Sequence, residues 1–257
     1  MDKRDIEFIA ETEWKSYLKR RKDPKNKKGY DFDDKLYSDL NQLGYNIQWG
    51  FNLQPTVFNG DERIFSIVKK YVSILEKSNY DREYMGTVSL LVHCLAHKKA
   101  TYATEWLIEK YKEAVKKDVF FELVNSYAGT IATIRDRRYV NEYIGLCQGE
   151  YLCSYSSYFV ELLGKLKVTE AEDLLISLID YRAKPQFQKN DEFFYSLGSD
   201  IWVSICAVEA LGRIKSKKAL PLIEKCLNIE NLYDYKNKTD KTLMRNTAKK
   251  AIERINK

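Results

Sequence analysis

The sequence predicts an all-α fold, a right-handed α-solenoid of stacked helical hairpins behind a divergent helical amino-terminal cap. Two observations carry that prediction. The first is an internal repeat: Val160-Glu161-Leu162-Leu163-Gly164, followed by Ala171 and Leu174, returns 48 residues later as Val208-Glu209-Ala210-Leu211-Gly212, followed by Ala219 and Leu222. Val, Glu, Leu, Gly, Ala and Leu keep identical offsets, and a hairpin of that kind buries its apolar stripe only against stacked neighbours. The second is composition. Only 11 Gly and 4 Pro occur in 257 residues, too few for the many turns of an all-β chain and suited to long helices with short connections.

Taken in order, residues 2–22 read as a helix with Ile6, Ile9, Trp14 and Leu18 on one face, broken by an exposed loop over 23–29. A second helix spans about 32–43 and stops at Gly44. Residues 45–60 read as an irregular connection, so 1–60 form the cap. From 61 to 257 the rhythm is regular and predicts one continuous array. Asp61 and Asp81 are placed to cap helices whose inward residues are Ile64, Ile67, Val68, Tyr71 and Leu75, then Met85, Val88, Leu91, Val92 and Leu95. Helices follow at about 101–116, 119–134, 138–147, 153–166, 170–181, 201–214, 217–228 and 240–256. Polar turns beginning at His97, Arg135, Lys167 and Lys215 separate the members of each pair, 38, 32 and 48 residues apart. The last interval is longer because 182–199 is inserted. The final helix supplies a partial third copy, Ala248-x-x-Ala251-Ile252-x-x-Ile255 against Ala207-x-x-Ala210-Leu211-x-x-Ile214.

These residues resemble bacterial HEAT-repeat proteins, in particular those with phycobilisome-lyase-like HEAT repeats. The resemblance is clear over about 154–228 and extends more weakly over 81–257. It implies a HEAT/armadillo-like architecture and a scaffolding, regulatory, inhibitor or immunity role, with DNA-repair glycosylases and chromophore lyases as minority members of the wider family. A shared fold does not select among these.

Charge narrows the partner classes. The net charge of +6 is concentrated at the ends: Lys19–Lys28 holds seven basic residues and one acid, and Lys236–Lys257 holds eight and two. The remainder is mildly acidic, unlike a uniformly basic nucleic-acid groove. No apolar run reaches the length of about 18 residues that a membrane span needs. The charged start Met1-Asp2-Lys3-Arg4-Asp5 lacks the apolar region of a secretory signal. Five scattered cysteines, Cys94, Cys147, Cys153, Cys206 and Cys226, fit reduced core thiols in a cytoplasmic protein.

Chemistry-bearing motifs are few. His93 and His97 have i,i+4 spacing, but Cys94-Leu95-Ala96 between them lacks the Glu of H-E-x-x-H, so core and turn roles are the reading, with no metal site. No nucleophile elbow or phosphate-binding glycine loop is present, and no catalytic residue or cofactor is assigned. The alternative to protein binding is a nucleic-acid-binding or DNA-repair, glycosylase-like role, for which Trp106, Trp202, Asp136 and Arg138 are the residue types required. Trp106 shares an apolar stripe with Leu107 and Tyr111, which favours packing. The basic run at 19–28 lacks interleaved aromatics for base stacking.

The function expected is non-enzymatic protein binding, with no oligomeric state implied. Second helices of such hairpins line the concave face. Removing their apolar stripes leaves Tyr102, Glu105, Glu109, Arg138, Glu142, Asp173, Ser177 and Asp180, a net acidic face suited to a basic protein. The insertion adds Phe187, Phe193, Phe194 and Tyr195 as aromatic anchors.

Overall fold

The computed structural model describes residues 15–16, 18–48, 50–117, 119, 121–181, 199–231 and 238–257, which are helical with no β-strand among them. They group into two compact units, Met1–Ala103 with Phe121–Ser126, and Thr104–Phe120 with Tyr127–Lys257. The expected cap boundary at residue 60 falls inside the first unit.

In the first unit, α1 (Lys27–Gln42) is preceded by a 3-10 turn over Pro24–Asn26. The segment expected as a loop over 23–29 is therefore mostly helical. Asp23 caps the turn by accepting from the Lys25 N–H at 3.0 Å, and Pro24 sits at the first position, where its missing N–H costs nothing. Leu18, expected to face inward, is 39% exposed. Gly44 ends α1 at φ 93°, a conformation that glycine adopts freely. A short helix, α2 (Pro55–Phe58), lies in the otherwise irregular connection, and α3 (Arg63–Lys77) and α4 (Arg82–His93) follow. All five inward residues expected on α3 and all five expected from Met85 to Leu95 are buried. Helix α1 packs on both α3 and α4.

The second unit holds α5 (Thr104–Lys116), most of α6 (Phe121–Ile134), α7 (Val140–Gly145), α8 (Ser156–Lys165), α9 (Glu172–Ser177), α10 (Ser199–Ile214), α11 (Leu220–Lys225) and α12 (Lys238–Ile255). Helices α8, α10 and α12 carry the three copies of the repeat and pack in chain order, α8 on α10 and α10 on α12. The two contacts are equivalent. A Cβ at Gly164 would lie 2.6 Å from Cα of Ala210, and a Cβ at Gly212 would lie 2.7 Å from Cα of Ala251. Glycine in one copy thus meets the matching alanine of the next. Ion pairs repeat as well, Lys165 with Glu161 at 2.7 Å and Arg213 with Glu209 at 2.8 Å.

Helix ends repeat too. Lys167 (φ 55°) and Lys215 (φ 58°) take left-handed conformations just past the helix ends, and the following N–H groups reach back to Leu163 and Leu211 at 3.0 Å in each case. This is the Schellman arrangement, here without glycine. Each second helix then opens through a tight turn, Arg137–Tyr139 before α7 and Thr169–Ala171 before α9. All five cysteines are free thiols; four are buried and Cys206 is half-buried.

The tightness of the repeat contact predicts opposite effects for two similar substitutions. Gly164→Ala should destabilise by about 1–3 kcal/mol, because the added methyl meets backbone that cannot yield. Gly86→Ala, inside α4 with nothing within 4 Å of its Cβ position, should stabilise by about 0.5–1 kcal/mol. Urea denaturation monitored by circular dichroism measures both; a neutral or stabilising Gly164→Ala would contradict the packing.

Candidate functional site

Two surfaces gather polar side chains, one in each unit. In the second unit, the tight turn before α7 is organised by Asp136, which is 5% exposed. Its carboxylate accepts from the Arg138 backbone N–H at 3.1 Å and from the Arg138 guanidinium at 2.6 Å, and the Tyr143 hydroxyl donates to its carbonyl at 2.9 Å. The Arg138 side chain holds the Asp136 carboxyl below the usual range. Asp136 is thereby an anionic turn-former with its oxygens occupied, and Arg138 is engaged with it rather than free to meet a ligand.

Beside this turn stands Tyr139, half-buried. Burial raises its phenol pKa, and the Glu105 carboxylate raises it further; Arg138 opposes, and Asp136 and Glu142 add smaller increments. Glu105 is exposed on α5 and Glu142 half-buried on α7, two successive second helices. Glu109 is exposed one turn beyond Glu105 on α5.

The remaining residues expected on that face fare differently. Asp173 is exposed but paired with Lys218 at 2.5 Å, so its charge is largely compensated. The Ser177 hydroxyl donates to the Leu174 carbonyl at 2.7 Å, and Asp180 is exposed. Tyr102 belongs to the first unit, where it is half-buried and its hydroxyl donates to the Asp61 carbonyl at 3.1 Å, a local strut. Phe187, Phe193, Phe194 and Tyr195 lie outside the described residues. Trp106 is half-buried with its ring edge-on to Tyr127 at 6.3 Å, while Trp202 is 46% exposed.

His93 is exposed near the end of α4, and His97 Nδ1 accepts from the Lys99 N–H at 3.2 Å within its turn. Among the described residues no group of three or more His, Cys, Asp or Glu converges as a metal site. No helix among them is long and apolar enough to cross a membrane.

The first unit holds a cavity of about 840 Å³ that the sequence does not announce. Its rim carries Lys25, Lys27, Lys28, Lys35 and Lys70, together with Asp31 and Asp39. Its wall is Phe32, Tyr71, Ile74 and Tyr84. Phe32 stacks on Tyr84 with centroids 4.3 Å apart and meets Tyr71 edge-on at 5.1 Å. Lys28 lies over Tyr84 and pairs with Asp81. Lys70 pairs with Asp39 at 2.6 Å, and the Tyr71 hydroxyl donates to the same carboxylate at 2.9 Å. Burial pulls the Asp39 carboxyl up, but the Lys70 and Tyr71 hydrogen bonds outweigh it and leave the group below its usual range. The signal for this site was the row Lys27, Asp31, Lys35, Ser38 at helical spacing on α1. It was hidden because Lys27 read as loop and Asp31 fell ahead of the expected helix, and because the aromatics come from α1, α3 and α4.

Comparison with protein-family models, curated proteins and solved structures gave no match.

A half-buried carboxyl on α1 makes stability in the first unit pH-dependent. Asp33 accepts from the Thr87 hydroxyl at 2.8 Å, and burial pushes its pKa up to about 6. Its folded value lies above the unfolded one, so the folded state holds the proton longer, and stability falls as pH rises from about 4 through 6. Asp33→Asn, which keeps an acceptor for Thr87, should raise Tm at pH 7.5 and leave it nearly unchanged at pH 4. Equal effects at both pH values would refute the buried-carboxyl assignment.

Proposed function

We propose that this chain is a HEAT-like helical-repeat protein that binds a basic protein partner, in a scaffolding, inhibitor or immunity-like role. One observation carries the reading: the successive second helices α5 and α7 leave Glu105 exposed and Glu142 half-buried at the surface. Glu109 extends the same surface, and among the described residues none of the three acids has an ion-pair partner. Carboxylates left without internal cations hold a negative potential outward, which steers a basic surface toward them and penalises phosphates. Tyr139 gives that rim an apolar ring with a polar tip, the kind of group that stays useful at a wet interface.

Rigidity supports the same reading. The Gly164–Ala210 and Gly212–Ala251 contacts leave little slack between α8, α10 and α12, so a surface built on this unit is ordered before it binds and pays little on association. Within this proposal Asp180 lengthens the acidic surface and the aromatic residues of the 182–199 segment, Phe187, Phe193, Phe194 and Tyr195, supply anchors. Asp136 and Arg138, which a glycosylase-like site would need free, are committed to each other. That weighs against DNA repair.

The test is affinity capture from an extract of the native host, comparing the wild-type chain with Glu105→Lys/Glu142→Lys. The wild type should recover a stoichiometric partner of basic isoelectric point, with recovery falling as salt is raised. The double variant should recover at least about tenfold less while its Tm shifts by no more than a few degrees, since Glu105 is exposed and Glu142 half-buried and neither holds an ion pair among the described residues. Undiminished recovery of the same partner would overturn the acidic-surface reading.

A further inference from the structure

The cavity of the first unit goes beyond partner binding, because its chemistry has the opposite sign. Two of its five lysines are matched internally, Lys28 by Asp81 and Lys70 by Asp39. Lys25, Lys27 and Lys35 are exposed and make no ion pair among the described residues. Three like charges around one concavity repel each other, and no carboxylate of the described residues pairs with them. The exposed Asp31 offsets only one of them. A cleft with low-dielectric walls focuses such a field and concentrates anions within it.

Shape and wall narrow the anion. A volume of about 840 Å³ lies in the range of small-ligand sites and holds a single compact molecule. Ile74 and Tyr84 are half-buried and line the same cavity. Asp31 and Ser38 add acceptors on the rim suited to hydroxyl or amino groups. Lysine ammoniums are compact point charges well matched to phosphate oxygens. We propose that this cavity binds a nucleoside polyphosphate, its phosphates held by Lys25, Lys27 and Lys35 and its nucleoside against Ile74 and the edge of the Tyr84 ring, whose faces are already covered.

Single-stranded nucleic acid fits less well. It requires a groove that follows several nucleotides and open aromatic faces on which successive bases stack. Here the Phe32 and Tyr84 rings occupy each other's faces, Lys28 lies over Tyr84, and Tyr71 is 1% exposed.

Isothermal titration of the full-length chain at low salt provides the test, with ATP, inorganic tripolyphosphate and a twelve-residue oligothymidylate as separate titrants. ATP should bind saturably at one site per chain, at least about tenfold more tightly than tripolyphosphate. Lys27→Glu/Lys35→Glu should weaken ATP at least about tenfold. Lys98→Glu/Lys99→Glu, an equal change of charge at an exposed turn of the same unit, should leave it within about twofold. Lys27→Gln/Lys35→Gln replaces the first pair if charge reversal disturbs folding, and should weaken ATP in the same direction. The proposal is overturned if ATP does not saturate, if both charge-reversal pairs weaken it equally, if tripolyphosphate binds as tightly as ATP, or if the oligonucleotide binds more tightly than either.

Discussion

The contact on which the carboxy-terminal packing depends is a glycine against an alanine, made twice. Gly164 on α8 faces Ala210 on α10, and Gly212 on α10 faces Ala251 on α12. At each point the missing side chain lets one helix reach the backbone of the next, closer than the usual 8–10 Å separation of helix axes allows for larger residues. Close approach brings many weak dispersion contacts into range together, and these sum to more than any single hydrogen bond on the surface. The buried residues flanking the contacts, Val160 and Leu163, then Val208 and Leu211, follow from that approach. They fill the space on either side of a line whose position the small residues set.

Helix endings transmit this constraint to the second helices. A right-handed helix leaves its last carbonyls unpaired, and here the chain closes them by turning left-handed at Lys167 and Lys215. A lysine in that conformation costs about 1 kcal/mol more than a glycine would. The cost is accepted at both equivalent positions, so the turn geometry matters more than the residue that makes it. The reversed chain enters α9 through a single 3-10 turn, whose residue Ala171 is 1% exposed. Its counterpart before α11, Ala219, is fully buried. A small buried residue therefore closes each of these turns, as small residues set the helix contact.

Much of this was legible in the chain. The Val-Glu-x-Leu-Gly recurrence marked α8 and α10, and the Ala-x-x-Ala skeleton marked α12, because steric closeness leaves a compositional trace. Capping by Asp81 was equally readable, since an aspartate before an apolar-periodic run has one obvious partner in the backbone; its carboxylate accepts from the Glu83 N–H at 3.1 Å. The start of α1 was not readable. Asp-Pro-Lys-Asn-Lys-Lys-Gly has the composition of a loop, yet Asp23 and Pro24 act as a helix start and the lysines after them are helical. Nor could the sequence show that Asp136 and Arg138 satisfy each other, because a charge and its partner two residues away read as two surface charges.

That last point governs where function resides. Charged side chains in this chain fall into those that neutralise one another and those left over. Asp136 with Arg138, Asp173 with Lys218 and Asp39 with Lys70 belong to the first kind, and such pairs contribute little to stability when exposed, about 0–1 kcal/mol. They also project little field, since opposite charges a few ångströms apart cancel at a distance. Glu105, Glu109 and Glu142 remain in the carboxy-terminal unit, and Lys25, Lys27 and Lys35 remain around one cavity of the amino-terminal unit. Unpaired like charges held near one another raise the energy of the folded state unless a ligand of opposite sign relieves them. The residues to pursue are therefore the leftovers of pairing that gather in one place, the acids on α5 and α7 and the lysines around the cavity.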